Sequence, residues 1–425
     1  MGTTTVSYRQ RGRLGATRAV VALVATGMLI SACSGEDTQS STPVSATTQM
    51  GTAVAEAKAA EAAAALPLDD IYFTKPTDGP AGSLIKAESF DGWTLGTGQT
   101  GTRIVYNSRS AQGKPNVASA AVITPAGTPP PNGWPVIAWA HGTTGVARQC
   151  APSLSKDFAA YGPYLTQIAE QGYAIVATDY SGLGAGEDHE YVTTKANAND
   201  VSFSVAAARE AVPQLSKQWI AAGHSQGGQA AWGVGKQQSE TPIGGFLGTV
   251  ALAPGLPLDQ LLAAGFDTPG AGLYVPFLVN SITSQYPSIS PADLLTEEGN
   301  RVYAAATKDG CFAFSAAVTD NAAPAALMQA DWADHPEVRT FIERNGYTDR
   351  RLAGPAFVAA GTEDQTIHPE DVERTARTQC DHATPVLYRS FPGGHDEMLA
   401  SSAPEVLHWV QDRFAGVQPA PSTCR

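Results

Sequence analysis

At 425 residues with 43% apolar side chains, the chain can bury a full core, as one large domain or one domain with a big insertion, and is no disordered protein. Its formal net charge of −13 becomes −17 once the first 32 residues, which hold four arginines and no acid, are removed. So acidic a surface argues against nucleic acid or anionic lipid as a partner and suits a protein soluble outside the cytoplasm.

Arg9, Arg11, Arg13 and Arg18 form a basic stretch, and Ala19 to Ile30 an apolar run too short to span a bilayer, the pattern of a signal peptide over residues 1–32. Ile30-Ser31-Ala32-Cys33 follows and resembles the lipobox of bacterial lipoproteins, in which the cysteine is diacylated and becomes the new N-terminus. Export, with Cys33 as a lipid anchor to a membrane, is the expectation. The remaining cysteines, Cys150, Cys311, Cys380 and Cys424, are even in number and contain no C-x-x-C pair, so disulfides are expected rather than a metal or redox site.

Residues 33–66 read as a Ser/Thr-rich tether followed by an Ala-rich helical lead-in over 53–65, neither carrying chemistry. From residue 67 to 425 one catalytic domain is expected. Strand-like runs at Ser83–Phe90, Thr102–Ser108 and Val117–Thr124 suggest a leading antiparallel hairpin. Buried strands at Trp134–Ala140, Tyr173–Thr178, Trp219–Ala222 and Ile243–Leu252 then alternate with helix-like stretches at Phe158–Gln171 and Asp200–Leu215. That rhythm predicts a mostly parallel α/β sheet with helices on both faces.

The rhythm stops at about residues 257–352, where helical patterns (Asp259–Ala264, Pro291–Ala306, Pro336–Arg344) replace strands; this reads as a helical cap inserted into the domain. Strands resume at Pro355–Ala360 and Pro385–Phe391, and an amphipathic helix, Pro404–Phe414, closes the domain.

Reactive groups in such a sheet gather at the carboxyl ends of the strands. The run Trp219–Ala222 breaks into Gly223-His224-Ser225-Gln226-Gly227 and passes straight into an Ala-rich helical segment, the strand, sharp turn and helix of a nucleophile elbow. The bare G-x-S-x-G pattern also arises by chance in a Gly- and Ser-rich chain; its setting, with a second glycine at Gly228, is what gives it weight. A serine hydroxyl needs an imidazole to take its proton and a carboxylate to fix that imidazole. Ser225, Asp364 and His395 occur in the order found in α/β-hydrolases, each just past a predicted strand.

Glu363 and Asp179 are alternative acids, with G-x-x-D-x-x-I favouring Asp364; His141 and His224 read as structural side chains of their turns, and His189, His335, His368, His382 and His408 lack a Gly-rich strand-end turn. The amide of Gln226 would hold a developing oxyanion, with a second donor from Thr143 or Thr144.

Taken together, H-G-T-T-G, D-Y-S-G-L-G, G-H-S-Q-G-G, G-T-E-D-Q-T-I and P-G-G-H resemble the secretory lipase family of the α/β-hydrolase superfamily over about residues 80–425. The resemblance implies an α/β-hydrolase fold with a helical lid, hydrolysis of neutral acyl esters such as acylglycerols, and no metal or other cofactor. It also implies disulfides Cys150–Cys311 and Cys380–Cys424. The lipobox departs from it, since many members are freely secreted. The alternatives are a serine peptidase or amidase of the same fold, which calls for a charged patch in the cap that the sequence does not offer, and a catalytically silent surface binding protein.

Overall fold

The computed structural model describes residues 46–346, 348 and 350–424; the targeting segment and Cys33 lie outside them. Its frame is a nine-stranded sheet of order β1-β2-β3-β5-β4-β6-β7-β8-β9. The strands are β1 Leu84–Ser89, β2 Thr100–Arg109, β3 Pro115–Thr124, β4 Trp134–Ala140, β5 Ala174–Thr178, β6 Leu215–His224, β7 Phe246–Leu252, β8 Ala356–Gly361 and β9 Val386–Phe391. The first three pair antiparallel, β3 pairs antiparallel with β5, and β5 through β9 run parallel. The antiparallel leading strands and the parallel α/β strands thus share one sheet.

Side-chain alternation explains why both faces carry helices. Val136, Ala138 and Ala140 of β4, with Trp219 and Ala221 of β6, pack on one side with residues of two helices, α3 Thr194–Ala211 and α4 Gln226–Glu240. Ile137, Trp139, Ile220 and Ala222 face the other side, against α2 Gly162–Glu170 and α13 Glu397–Phe414. Strands buried on both faces read as continuous apolar runs, which is what the sequence shows at 134–140.

Several helical expectations are corrected: the closing helix expected from Pro404 already begins at Glu397, with Pro404 inside it, and the lead-in helix expected from residue 53 begins at Ala46. The helix expected from Phe158 starts at Gly162, because Phe158, Ala159 and Ala160 take left-handed φ values of 55°, 53° and 71°. The helix expected from Asp200 starts at Thr194 and ends at Ala211, two residues before Pro213. The stretch 291–306 is two helices, because Thr296 accepts the amide of Gly299 and opens a new N-terminus.

Between β7 and β8, among the described residues, lie seven α-helices: α5 Leu258–Gly265, α6 Val275–Gln285, α7 Pro291–Leu294, α8 Glu297–Ala306, α9 Phe312–Thr319, α10 Pro324–Leu327 and α11 Pro336–Asn345. They enclose their own apolar core, including Phe277, Val279, Ile282, Val302, Phe314 and Phe341. No sequence expectation covers α6 or α9: in α6 the first five residues are apolar and the rest polar but for Ile282, a split along the helix rather than around it, and α9 has only Ser315 and Thr319 as polar residues. An N-terminal helix, α1 Ala46–Ala64, rests Val54 and Ala57 on the same core. Helix α12, Pro369–Thr378, packs Val372 and Ala376 beside Trp232 on the α4 side of the sheet. Among the described residues no helix is long and apolar enough to cross a membrane.

Cys150 is bonded to Cys311, joining the loop after β4 to the start of α9, and Cys380 to Cys424. The second bond holds the C-terminal tail along edge strand β9, where the Thr423 amide donates to the Val386 carbonyl at 2.7 Å and the Tyr388 amide to Thr423 Oγ1 at 3.1 Å.

Two carboxylates are buried under the β5 turn. Asp179 accepts from the hydroxyls of Ser119 and Ser153 and the amide of Ser153. Asp200 accepts from the amide of Ser181 and the hydroxyls of Ser181 and Ser108. Burial outweighs these bonds and pushes each carboxyl up to about 6.

Two outcomes follow for stability. Replacing Cys150 and Cys311 together by Ser removes a cross-link spanning 161 residues and is expected to cost about 3–5 kcal/mol in urea unfolding; an unchanged midpoint would show that the bond is not formed. For Asp200, the folded carboxyl keeps a proton that the unfolded chain has lost above about pH 4, so its share of stability is complete below that pH and is lost as pH rises through about 6. Wild type should therefore lose about 2–3 kcal/mol relative to Asp200→Asn between pH 4 and pH 8. A pH-independent difference in urea midpoints would contradict this.

Candidate active site

Register brings the strand ends level. Ala140 of β4 stands beside Thr178 of β5 and Gly223 of β6, and Leu252 of β7 beside His224 and Ala359. The segments beginning at His141, Asp179, Ser225 and Thr362 therefore emerge along one edge of the sheet.

The elbow is forced by crowding. A Cβ on Gly223 would collide with the carbonyl of Gly227, and a Cβ on Gly227 with the carbonyl of Ala140. Only glycines let β6 turn into α4 this close to β4. Between them Ser225 takes φ 59° and ψ −119°, a conformation rare for a residue with a side chain, and its amide donates to Leu252 O at 2.9 Å. Gln226 is the first residue of α4, so its amide has no partner within the helix. Its side chain turns inward, with Nε2 3.0 Å from His189 Nε2.

Asp364 and His395 meet at the ends of β8 and β9. His395 Nδ1 lies 2.7 Å from Asp364 Oδ2, while Asp364 Oδ1 accepts the amides of Thr366 and Ile367 at 2.8 and 2.9 Å. Both carboxylate oxygens are thus committed and the side chain is buried; Ile367 is buried beneath the loop. Burial raises the carboxyl, but the His395 hydrogen bond and charge and the two amides outweigh it, holding Asp364 below the usual carboxylate range. Glu363 is exposed beside it, and Asp179 points into the buried serine cluster.

His224 and Tyr161 connect these loops. Burial, with the neighbouring His395, pushes His224 down to about 3, so the ring is neutral and carries one N–H. Its Nε2 is 2.9 Å from the His395 carbonyl, which can only accept, so the proton sits there and Nδ1 accepts from Tyr161 Oη at 2.9 Å. The phenol oxygen in turn accepts the Gly142 amide at 3.1 Å. One chain of bonds spans the turns after β4, β6 and β9. The sequence offered His224 as a structural residue of its turn but gave no sign of Tyr161, whose position depends on the left-handed residues before α2.

His141 is likewise buried and pushed down to about 4, between the Gly142 and Asp179 carbonyls. Thr143 Oγ1 is held by Tyr191 Oη at 2.8 Å, whereas the buried Thr144 hydroxyl has no hydrogen-bond partner among the described residues. Of the groups that could hold a metal, His224, His395 and Asp396 bring ligand atoms within 4.8 Å of one another among the described residues. Both nitrogens of His224 and Nδ1 of His395 are already bonded, so ligation would have to break the chain above.

A cavity of 920 Å³ joins these groups, lined by Ser225, His395, Thr143 and Thr144 together with Leu273, Tyr274 and Phe312 from the helical insertion. Ala60, Glu61, Ala64 and Ala65 also line it. This corrects the expectation that the Ala-rich lead-in has no part in the site: alanine carries too weak an apolar signal to reveal which face of α1 is covered.

A comparison with curated protein sequences finds no match. Among solved structures, Candida antarctica lipase A in its closed state is similar, with TM-score 0.72 and 16% identity, covering 84% of this chain and 90% of that one. A rice cell wall degrading esterase, LipA from Xanthomonas oryzae, superposes with TM-score 0.68 and 17% identity over 80% of this chain and all of that one. A putative hydrolase of Legionella pneumophila gives 0.63 at 16% identity over 78% and 97%. At such identities the likeness is one of fold, the α/β-hydrolase fold. The family model for secretory lipases matches residues 163–421, more than half of the chain, from α2 to beyond α13; the chain belongs to the secretory lipase family, hydrolases of the lipase and esterase type.

Proposed function

We propose that this protein is an exported serine ester hydrolase that cleaves neutral acyl esters through Ser225, His395 and Asp364. The observation that carries the reading is the Asp364–His395 pair at 2.7 Å, whose imidazole lines one cavity with a serine on a strained elbow. Ser225 Oγ attacks the ester carbonyl as His395 Nε2 takes its proton, and Asp364 holds the Nδ1–H and steadies the imidazolium. The oxyanion of the tetrahedral intermediate accepts from the Gln226 amide and from the Thr143–Thr144 turn, where the unpartnered Thr144 hydroxyl is a ready further donor. Collapse expels the alcohol, protonated by His395, and leaves an acyl-serine. Water, deprotonated by the same imidazole, attacks that ester; the acid departs and the serine regains its proton.

An apolar insertion over the cavity favours medium and long acyl chains. The family and the two disulfides support export, with Cys33 as the proposed lipid anchor. Hydrolysis of p-nitrophenyl esters from acetate to hexadecanoate by the soluble chain tests the reading. Ser225→Ala should lower kcat/KM by roughly 10⁴-fold or more and Asp364→Asn by about 10³–10⁴-fold. A wild type inert to every ester, or a Ser225→Ala variant of full activity, would sink it.

Tyr161→Phe leaves the Gly142 amide and His224 Nδ1 without their shared partner. It is expected to lower stability by about 1–3 kcal/mol and kcat/KM by about tenfold, because a small displacement of the β4 turn misplaces the oxyanion donors. Kinetics equal to wild type would show that the chain of bonds does not position the site.

A further inference from the structure

Helix α1 is welded to the domain at two points that bracket the cavity. At the first, both oxygens of Glu61 are used: Oε2 accepts the Cys311 amide and Oε1 the Phe314 amide, each at 2.9 Å, at the start of α9. Lys58 lies beside it, Nζ 4.9 Å from the Phe314 ring centre. At the second, the Ala64 carbonyl accepts the Lys156 amide at 2.9 Å, and the Leu66 amide donates to Leu154 at 2.8 Å. The start of α9 is also held by the Cys150–Cys311 bond.

The residues on α1 that are partly covered, Met50, Val54, Ala57, Glu61 and Ala64, recur three and four apart, so they form one stripe toward the domain. Its C-terminal end, with Ala60 and Ala65, supplies only methyl groups and one carboxylate stem to the cavity that Ser225 and His395 enter. Phe312 and Ala313, on the helix that Glu61 grips, line the same cavity.

We propose that α1 is a fixed wall of the acyl-binding cavity: the small side chains of Ala60 and Ala64 set the room for the acyl chain, and Glu61 is a positioning residue that holds the adjacent α9, and with it Phe312, in the cavity wall. This rests on the ester-hydrolase reading for the identity of the occupant. An acyl chain suits the wall, which presents methyl groups and, through Phe312 and Leu273, apolar surface. A large residue at position 64 subtracts volume that a long chain needs and a short one does not. Releasing α9 by removing the Glu61 carboxylate changes chain-length preference by a different route, through Phe312.

The test compares the full soluble chain with Ala64→Trp, Ala60→Phe, Glu61→Gln, Phe312→Ala and the Glu61→Gln/Phe312→Ala pair. The readout is the ratio of kcat/KM for p-nitrophenyl hexadecanoate to that for the acetate. Ala64→Trp should lower this ratio at least about tenfold, the loss of several methylene contacts; Ala60→Phe serves if the tryptophan variant does not fold. Glu61→Gln should move the ratio at least about threefold, and the pair should show non-additive effects, because both act through one side chain. Ratios within twofold of wild type in folded Ala60 and Ala64 variants overturn the wall. A Glu61→Gln variant that loses only melting temperature overturns the positioning role.

The same variants made on Ser225→Ala are titrated calorimetrically with saturated fatty acids of four to sixteen carbons. Loss of long-chain binding in Ala64→Trp supports the wall, and an unaltered profile, or no fatty-acid binding by Ser225→Ala itself, overturns it. This readout needs no turnover, so inactivity of the wild type toward esters would defeat the hydrolase reading while the wall is still decided.

Discussion

Everything reactive in this molecule depends on how closely α4 and the end of β6 approach β4. The carbonyl of Ala140 sits where a Cβ on Gly227 would fall, and the carbonyl of Gly227 where one on Gly223 would fall. No residue but glycine permits that approach, and without it Ser225 would not be driven to φ 59° at the tip of the turn. The same approach brings Gly142 to the elbow: a Cβ there would lie 3.4 Å from that of Ser225. Ser225 and the Gly142 turn, the proposed nucleophile and oxyanion turn, are thus neighbours because two backbones touch, before any side-chain chemistry is considered.

The second layer of organisation is protonation. His224 is neutral because it is buried, and its single proton is assigned by a carbonyl that can only accept. Direction then propagates: Gly142 donates to Tyr161, Tyr161 donates to His224, and His224 donates to the backbone of His395. Asp364, acting on the other side of His395 with one oxygen while two amides hold its second, completes the restraint on that ring. The imidazole is held through its backbone and through Nδ1, which leaves Nε2 for the proton transfer proposed above.

What could be read from the sequence was whatever covalent geometry leaves no choice about. The elbow glycines, the G-x-x-D-x-x-I loop whose aspartate takes the amides two and three residues on, and the runs of buried strand all announce themselves in residue type and spacing. Tyr161 does not, because its place follows from three left-handed residues whose conformation no local pattern demands. Helices α6 and α9 escape for another reason: the polar residues of α6 cluster at its C-terminal half instead of along one face, and α9 has too few polar residues to mark a face. The role of α1 is hidden in alanine, which favours a helix without saying what the helix leans on.

The C-terminal tail bears on the life of the protein outside the cell. An open sheet has two rims of unpaired backbone groups, and an exported protein meets other partly folded chains there. On one rim β1 carries Lys86 and Glu88, with an irregular register against β2, features that discourage a foreign strand from docking. On the other, residues 422–424 run beside β9, bonded to Val386 and Tyr388, and Cys424 is tethered to Cys380. The tail thus forms a covalently secured selvedge over the first half of β9, where the second disulfide keeps Val386 and Tyr388 from offering their backbone groups to a foreign strand.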